Sequence, residues 1–232
     1  MKIAIVGYGK MGRLIEHLAP SQECEIVLTL DEHNNANGEG ITREAFSGVD
    51  AAIEFSTPDT VVSNIERLAK VGVNTVVGTT GWAAELPQVK AVIEQAGTGL
   101  VWSPNFSIGV NVFFRLVGEA ARLLASHPDY GAWAWEIHHD TKKDAPSGTL
   151  LKLVDEMTAA GFQRSIDVSS NRAGCHPGTH EIGFDSSADT ITLRHTARSR
   201  EGFALGALQA AKWIRNRKGL YKFSEALFGG KV

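Results

Sequence analysis

The segment from Glu136 to Thr149 carries the densest group of residues that could do chemistry in this 232-residue chain. It holds the adjacent histidines His138 and His139, two lysines, and the sequence Ser147-Gly148-Thr149 directly after a proline. Neighbouring side chains on a strand point to opposite faces, so the two histidines are expected to have different tasks. The proline and the turn predict a helix start, whose free N–H groups can bind a carboxylate. This composition indicates proton transfer beside an anion-binding turn.

A glycine-rich loop near the N terminus predicts a second site, for a dinucleotide. The pattern G-x-G-x-x-G is formed by Gly7, Tyr8, Gly9, Lys10, Met11 and Gly12. The loop lies between a predicted strand, Ile3–Val6, and a predicted helix, Lys10–Leu18. In this motif the glycines allow a tight turn, close approach of a pyrophosphate and close packing of helix on strand. The helix N terminus adds N–H groups that favour phosphate. A purely structural turn is the alternative.

Two charged residues bear on which dinucleotide is bound. Asp31 ends the second predicted strand about 20 residues after the motif, where an acid commonly binds the adenosine ribose. Its charge would repel a 2′-phosphate, which favours NADH, whereas the ammonium group of Lys10 could reach such a phosphate. We therefore expect both NADH and NADPH to be used, with NADH somewhat preferred.

Two more loops follow predicted strands and are expected to face the same ligand. The candidate cofactor-binding residues in them are Gly78, Thr79, Thr80, Ser103, Pro104, Asn105 and Phe106. In an open parallel sheet, ligands bind beyond the carboxyl ends of the strands. Ordinary turn chemistry explains the composition of these loops equally well, so their position is the argument for a cofactor role.

The elements that must hold these loops fall into two patterns. Up to Trp102, short apolar runs alternate with amphipathic stretches, which is typical of a parallel sheet covered by helices on both faces. A helix-spaced apolar face follows, and alternating runs at 133–138, 166–170, 180–185 and 190–196 predict a largely antiparallel open sheet. A helix at Gly202–Arg215 is expected to return to the first domain. The predicted fold is α/β, with a dinucleotide-binding domain (1–106 and 201–232) and a mixed α+β substrate domain (107–200).

Composition and charge exclude several other classes of protein. The net charge of −3 lacks the basic footprint of a general nucleic-acid binder. No export signal or membrane-length apolar stretch is visible, so we expect a cytoplasmic protein without a membrane partner. The two cysteines fit neither a disulfide framework nor a zinc site, and further metal ligands at suitable spacing are not evident, so no metal is expected.

The catalytic segment resembles the signature of the dihydrodipicolinate reductase family. Glu136-Ile137-His138-His139 is followed by Lys142 and then by Asp144-Ala145-Pro146-Ser147-Gly148-Thr149. The glycine loop, the loops at 78–81 and 103–107, and the run from Arg172 to Glu181 agree with the family in order and content. The resemblance covers nearly the whole chain. It implies a Rossmann domain and a substrate domain whose sheet builds a homotetramer.

The same resemblance implies a reaction and a role for each candidate residue. The reaction is NAD(P)H-dependent hydride transfer to C4 of 4-hydroxy-tetrahydrodipicolinate, followed by protonation of the enamine, in diaminopimelate and lysine synthesis. His138 and Lys142 would be the catalytic proton donors. The implied substrate-binding residues are His139, Gly148, Thr149 and, as a partner for a carboxylate, Arg200.

Two other functions share part of this sequence pattern. Another two-domain dehydrogenase would carry the glycine loop but has no need of the His-His, Lys and Ser-Gly-Thr cluster. A dinucleotide sensor without catalysis would also keep the loop, and would bind NADH without consuming it. Consumption of NADH in the presence of substrate separates these alternatives from the reductase.

Overall fold

The structure of the chain is a computed structural model, of which residues 1–229 are described. The last three residues of the predicted dinucleotide-binding segment 201–232 lie outside the described residues. Backbone contacts divide the chain into two units. The first contains Met1–Ile108 together with the chain from Glu201 onward, and the second contains Gly109–Arg200. In sequence, the second unit is therefore an insertion within the first.

The regular elements alternate in the first half of the chain and then change in character. In chain order they are β1 (Lys2–Val6), α1 (Lys10–Leu18), β2 (Glu25–Leu30), β3 (Ala51–Glu54), α2 (Pro58–Lys70), β4 (Thr75–Val77), α3 (Leu86–Ala96), β5 (Gly99–Trp102), α4 (Ile108–Leu124), β6 (Gly131–His138), α5 (Gly148–Ala159), β7 (Ile166–Arg172), β8 (Thr179–Asp185), β9 (Thr190–Thr196), α6 (Glu201–Ile214), β10 (Gly219–Lys222) and α7 (Phe223–Phe228). None of the helices within residues 1–229 is long and apolar enough to cross a membrane.

The first unit is built on a six-stranded sheet in the order β10-β5-β4-β3-β1-β2. Every pairing in it is parallel, as the alternating pattern predicts. Helix α6 contributes a row of small buried residues, including Ala204, Ala207 and Ala211, to the same core as Ile3 and Ile53. Helix α6 therefore packs in the first unit, although it follows the second unit in sequence.

The end of the chain departs from the sequence prediction, which took it for a short apolar tail. Residues Gly219–Lys222 form β10 and pair with β5 at the edge of the sheet, and α7 follows directly. The strand has only four residues and no alternation of buried and exposed positions, because it lies at an edge, where its first three residues are partly exposed and Lys222 is exposed. The alternation of apolar and polar residues that predicts a strand is therefore absent from this part of the sequence.

The second unit is a four-stranded sheet in the order β7-β6-β8-β9, covered on one face by α4 and α5. Two of its pairings are antiparallel, as predicted, but β6 and β7 are parallel. The exception has a simple cause: α5 connects β6 to β7, and a crossover helix brings the second strand back in the direction of the first. The buried face of β6 carries Ala134, Glu136 and His138.

Candidate active site

The glycine loop between β1 and α1 has the geometry that close approach of a ligand requires. Gly7 has a φ of 96°, and a side chain there would collide with the backbone of Phe55. A Cβ on Gly12 would lie 2.6 Å from the carbonyl oxygen of Gly7, so the helix packs tightly on the turn. At Gly9, in contrast, a Cβ would find no other described part of the chain within 4 Å. This open position fits the approach of a pyrophosphate.

The N terminus of α1 can supply the hydrogen bonds that a phosphate needs. Gly9 is the N-cap residue, and no side chain of the described chain caps the helix. The N–H groups of Gly7 and Tyr8 already donate to the carbonyl of Leu30, at 2.8 and 3.1 Å. Groups from position 9 onward are therefore the ones left to a ligand, with Lys10 exposed beside them. Met11 is half-buried against the core and supports the helix.

Asp31 directly follows β2, where the ribose-binding acid is expected. Its Oδ1 accepts hydrogen bonds from the backbone N–H of His33 at 2.9 Å and of Asn34 at 3.4 Å. The Asn34 side chain in turn accepts a bond from the Asp31 N–H at 2.7 Å. These local bonds hold the carboxyl group at the end of the strand, and Oδ2 is the oxygen that a ribose hydroxyl would use.

The three candidate residues in the loop after β4 differ in their surroundings: Gly78 and Thr79 contact other parts of the protein, and Thr80 is exposed. Gly78 lies against the ring of Phe55, which a Cβ would strike. Thr79 is buried, and its hydroxyl donates to Glu54 Oε2 at 2.6 Å. Thr80 is exposed. Thr80 is consequently the residue of this loop whose side chain can meet a ligand, whereas the side chain of Thr79 is engaged with the protein.

The loop after β5 is organised by its own polar groups. The Ser103 hydroxyl donates to the Asn105 carbonyl at 2.7 Å and accepts from the Asn105 N–H at 3.1 Å. Pro104 is exposed between them. The side chain of Phe106 is buried in the core, with its ring 4.7 Å from that of Phe223. Phe106 can therefore reach a cofactor through its backbone, and not through its ring.

In the second unit, a buried carboxylate holds the catalytic segment together. Glu136 is 0% exposed on β6. Its Oε1 accepts from the Ser147 N–H at 2.9 Å, from the Arg172 guanidinium at 3.0 Å, and from the Ser170 hydroxyl at 3.1 Å. Its Oε2 accepts from the Ser147 hydroxyl and faces His180 Nε2 at 3.4 Å. One side chain thus joins β6, β7, β8 and the start of α5.

The charge of Glu136 is fixed by these donors. Burial alone would raise the pKa of its carboxyl, but the hydrogen bonds from His180, Ser147 and Arg172 outweigh burial and hold the pKa well below its usual range. Because an ionised carboxylate only accepts, His180 Nε2 must carry a proton. The Ser147 hydroxyl also accepts from the Leu150 N–H at 3.2 Å, which caps α5 as the sequence predicts.

His138 lies beside this cluster at the end of β6 and is 8% exposed. Its Nδ1 is 3.5 Å from Glu136 Oε2, and its ring centre is 5.0 Å from that of His180. Nδ1 is buried and has no hydrogen-bond partner among the described residues. Gly178, with a φ of 131°, approaches the other side of the ring so closely that a Cβ would lie 2.9 Å from Nε2.

The surroundings of His138 favour its neutral form. Burial is the main cause that lowers the pKa of the imidazole to about 4; the Glu136 carboxylate opposes it, and the neighbouring His180, Lys142 and Arg172 act in the same direction as burial. A negatively charged ligand in this cluster would act in the opposite direction. The imidazole is thus placed to take up its proton when an anion arrives.

The remaining candidate residues follow β6, begin α5 or precede α6. Lys142 Nζ donates to both carboxylate oxygens of Asp144, at 2.7 and 2.9 Å, and this pairing lowers the pKa of Asp144. His139 Nδ1 lies 2.7 Å from the Thr141 hydroxyl, outside the strand that ends at His138. Gly148 and Thr149 form the first turn of α5, and Arg200 is exposed immediately before α6.

Comparisons with known proteins match both halves of the chain to one family. Residues 1–106 match the N-terminal domain description of dihydrodipicolinate reductase, and residues 109–227 match its C-terminal description. The chain belongs to the dihydrodipicolinate reductase family. The sequence resemblance, first stated from the segment Glu136–Thr149, is confirmed.

Named dihydrodipicolinate reductases align with the chain from end to end. The 4-hydroxy-tetrahydrodipicolinate reductase of Christiangramia forsetii is 34% identical and covers 98% of both chains. The enzyme of that name from Methanosarcina barkeri is 33% identical and covers 98% of this chain and 99% of its own. A dipicolinate-bound dihydrodipicolinate reductase from Paenisporosarcina sp. TG-14 shares the fold, with a TM-score of 0.82, 24% identity and coverage of 97% and 98%.

Sequence reasoning placed the reductase signature correctly in the chain but missed most of its supporting contacts. Arg172 was noted only as part of a matching run, His180 was expected to have a structural role in the second domain, and Glu136 had no role. A usable signal was present in β6. Glu136 occupies the same face as Ala134 and His138, so a charged residue stands at a buried position and requires partners.

One group in the described part of the reductase chain could offer three ligand atoms to a metal. Its members are Glu136, His138 and His180, whose ligand atoms lie within 4.8 Å of one another. Both oxygens of Glu136 already accept protein hydrogen bonds, and the Arg172 guanidinium stands 3.0 Å from one of them. A cation would have to displace these donors and face that positive charge, so the geometry favours a hydrogen-bonded cluster.

Proposed function

We propose that this protein reduces 4-hydroxy-tetrahydrodipicolinate to tetrahydrodipicolinate with NADH or NADPH, in the route to diaminopimelate and lysine. The observation that carries the proposal is the cluster around Glu136, in which a family signature spanning 136–149 places a buried histidine beside a capped helix start. The family assignment over both halves of the chain supports the same reaction. We assign the cofactor to the first unit and the substrate to the second.

The cofactor would be held at the carboxyl edge of the parallel sheet. The N terminus of α1 and the open position at Gly9 fit its pyrophosphate, and Asp31 fits its adenosine ribose. Thr80 and the backbone of 103–106 would face its nicotinamide half. When bound, the nicotinamide supplies a hydride to C4 of the substrate ring.

His138 would hold the proton that the reduced ring requires. The free imidazole is neutral at physiological pH, since its pKa is about 4. A substrate with two carboxylates would favour the imidazolium, because a nearby opposite charge stabilises the charged form. The residue would thus be charged mainly when substrate is present, and Glu136 would help to hold the imidazolium in place.

Lys142 and the start of α5 would bind the carboxylates and balance charge on the ring. In the free protein Lys142 is paired with Asp144, so a substrate carboxylate must replace an existing anionic partner. Gly148 is exposed and Thr149 lies in the same first helical turn, where N–H and hydroxyl donors can bind an anion. His139 and Arg200 would complete the set as further donors.

The assay that tests the proposal follows NADH absorbance with the condensation product of aspartate semialdehyde and pyruvate as substrate. We expect oxidation of NADH, and somewhat less efficient oxidation of NADPH. His138→Gln and Lys142→Ala should each lower kcat about a hundredfold or more, since acid–base groups contribute about 10²–10⁴. Absence of NADH oxidation would exclude the function, and unchanged kcat in both variants would remove these two residues from catalysis.

The open face of the second sheet supports the proposal of a homotetramer. Trp133, Trp135 and Ile137 alternate with the buried residues of β6 and therefore point away from α4 and α5. All three are partly exposed, and large aromatic side chains are enriched in protein interfaces. Light scattering coupled to size-exclusion chromatography should give four times the mass of the chain.

We also propose a cytoplasmic location, which fractionation of the source cells would test.

A further inference from the structure

A second buried carboxylate lies outside the catalytic segment, in the first unit. Glu54 is the last residue of β3 and is 0% exposed. Its carboxylate accepts hydrogen bonds from the Thr79 hydroxyl at 2.6 Å, from the Asn64 amide at 3.3 Å, and from the Ser56 hydroxyl. These partners come from three segments: the chain after β3, helix α2, and the loop after β4.

Thr79 is the link between this carboxylate and the loop Gly78–Gly81. Besides donating to Glu54, its hydroxyl accepts the Ser56 N–H at 2.8 Å. Its carbonyl oxygen accepts the indole N–H of Trp82 at 2.8 Å. The side chain and the carbonyl of Thr79 are therefore both committed to the protein. The residue fixes the loop, and the neighbouring Thr80 is left exposed at its tip.

Two contacts beside Glu54 hold the same loop from its backbone. The Gly78 N–H donates to the carbonyl of Glu54 at 2.9 Å. The ring of Phe55 covers Gly78 so closely that no side chain would fit there. The start of the loop is thus held at the end of β3 by a main-chain hydrogen bond, the Phe55 ring and the Glu54 carboxylate. The rest of the loop reaches the edge of the sheet where a cofactor binds.

The partners that hold Glu54 are neutral hydroxyl and amide groups. Burial raises the pKa of its carboxyl, and the hydrogen bonds from Ser56, Thr79 and Asn64 only partly oppose that effect. Glu54 therefore acts through the positions of its two oxygens, which accept these hydrogen bonds. An uncharged amide of the same shape could make equivalent bonds, because hydroxyl groups can donate or accept.

We infer that Glu54 is a positioning residue for nicotinamide binding, which fixes the loop Gly78–Gly81 through the hydroxyl of Thr79 so that Thr80 faces the cofactor. The inference rests on the proposed cofactor site at this edge of the sheet. It assigns Thr79, which the sequence suggested as a direct ligand, an indirect role through its side chain. It also explains why a carboxylate ends a strand whose other residues are apolar.

The test compares cofactor binding in variants that break or keep the link. Glu54→Leu removes both acceptor oxygens, and Thr79→Val removes the hydroxyl at nearly constant volume. Each should raise the Kd of NADH, measured by its fluorescence on binding, by about tenfold, the usual consequence of losing one buried hydrogen bond. The KM for NADH should rise in parallel, while the KM for the dicarboxylate at saturating NADH stays within about twofold. Glu54→Gln should recover most of the affinity lost in Glu54→Leu.

Thr75→Val is the matched control. Thr75 is 0% exposed on β4, and its hydroxyl donates to the Val73 carbonyl at 3.3 Å, away from the loop. It should cost stability without changing the Kd of NADH. If Glu54→Leu does not fold, Thr79→Val decides the question.

The outcomes separate this inference from the proposed function. A Kd for NADH within twofold of wild type in Thr79→Val, or an equal change in Thr75→Val, would overturn the positioning role even if the wild type reduces its substrate. Weaker NADH binding in both Glu54→Leu and Thr79→Val, with recovery in Glu54→Gln and no turnover by the wild type, would support the role of Glu54 and exclude the proposed reaction.

Discussion

The two units each contain a carboxyl group that is completely buried near the end of a strand, and the pKa values of the two are shifted in opposite directions. Burial raises the pKa of Glu54, whereas donors hold the pKa of Glu136 well below its usual range. Both accept several hydrogen bonds. The difference is in the donors: Glu54 has hydroxyl and amide partners, and Glu136 has a guanidinium, an imidazole and a backbone N–H. The donors of Glu136 therefore outweigh the effect of burial, whereas the neutral donors of Glu54 only partly oppose it.

The largest effect should separate the two glutamates directly. Glu136→Gln at pH 7 leaves the half-buried Arg172 guanidinium without its anion, and breaking a pair with a fully buried partner costs about 3–5 kcal/mol. Glu54→Gln keeps its neutral partners and should change the free energy of unfolding by no more than about 1 kcal/mol. Denaturant unfolding of both variants measures the difference. Equal losses of unfolding free energy in the two variants would contradict the proposed difference between the two glutamates.

A smaller effect is expected when the cation is removed and the acid is kept. Arg172→Met takes one charged hydrogen bond from Glu136, which should cost about 2 kcal/mol. The stability that ionised Glu136 contributes is present above its ordinary pKa and is lost as pH falls through its folded pKa. Because the variant raises that folded pKa, its acid unfolding should begin at higher pH.

Arg194→Met is the control for Arg172→Met. Arg194 lies in the same sheet but is exposed, and its contact with Glu181 is 3.4 Å long. An exposed pair of this kind contributes about 0–1 kcal/mol. A shift of acid unfolding as large in Arg194→Met as in Arg172→Met would show that general surface charge, and not the buried pair, sets the acid sensitivity.

His138 should give the cluster a pH dependence at milder acidity. Its pKa is about 4 in the folded protein against an ordinary 6.5. The unfolded chain therefore binds more protons between these values, and stability falls as pH drops from 6.5 towards 4. His138→Gln should lose less stability than the wild type over this window in thermal melts. Parallel melting curves for the two proteins across the window would contradict the depressed pKa.

The smallest effect should come from an acid that is not fully buried. Asp31 is partly exposed after β2, so its charge is screened by solvent. Asp31→Ser should shift the ratio of kcat/KM for NADH and NADPH towards NADPH by about threefold to fivefold, as expected from about 1 kcal/mol or less for an exposed charge. A ratio that stays constant would remove Asp31 from cofactor selection.

Sequence patterns were sufficient for elements whose signals are local. The helix Lys10–Leu18 has the predicted bounds, because glycine, apolar periodicity and burial all act within a few residues. The Ser147 cap was likewise readable from the turn Pro146 to Thr149. Strand β10 was not, because its pairing with β5 depends on residues more than a hundred positions away.

The same distinction between local signals and distant pairing applies to the candidate site. His138 and Lys142 could be named from one short segment, but their surroundings could not. Arg172 and His180 reach Glu136 from 36 and 44 positions along the chain, through pairing of β7 and β8 with β6. Tertiary pairing of this kind leaves no spacing in the sequence. The depressed pKa of His138 is a property of that assembly and of no single motif.

The interruption of the first unit by the second has a consequence for synthesis on the ribosome. Residues 109–200 are continuous and can complete their own sheet as soon as they emerge. The first unit has five of its six strands made early, but the edge strand β10 and the core helix α6 come last. Until then β5 has an unpaired edge and part of the apolar core is uncovered, which are the features that invite aggregation and chaperone binding. Helix α6 and strand β10 therefore complete the core and the sheet of the first unit only after the second unit has been synthesised.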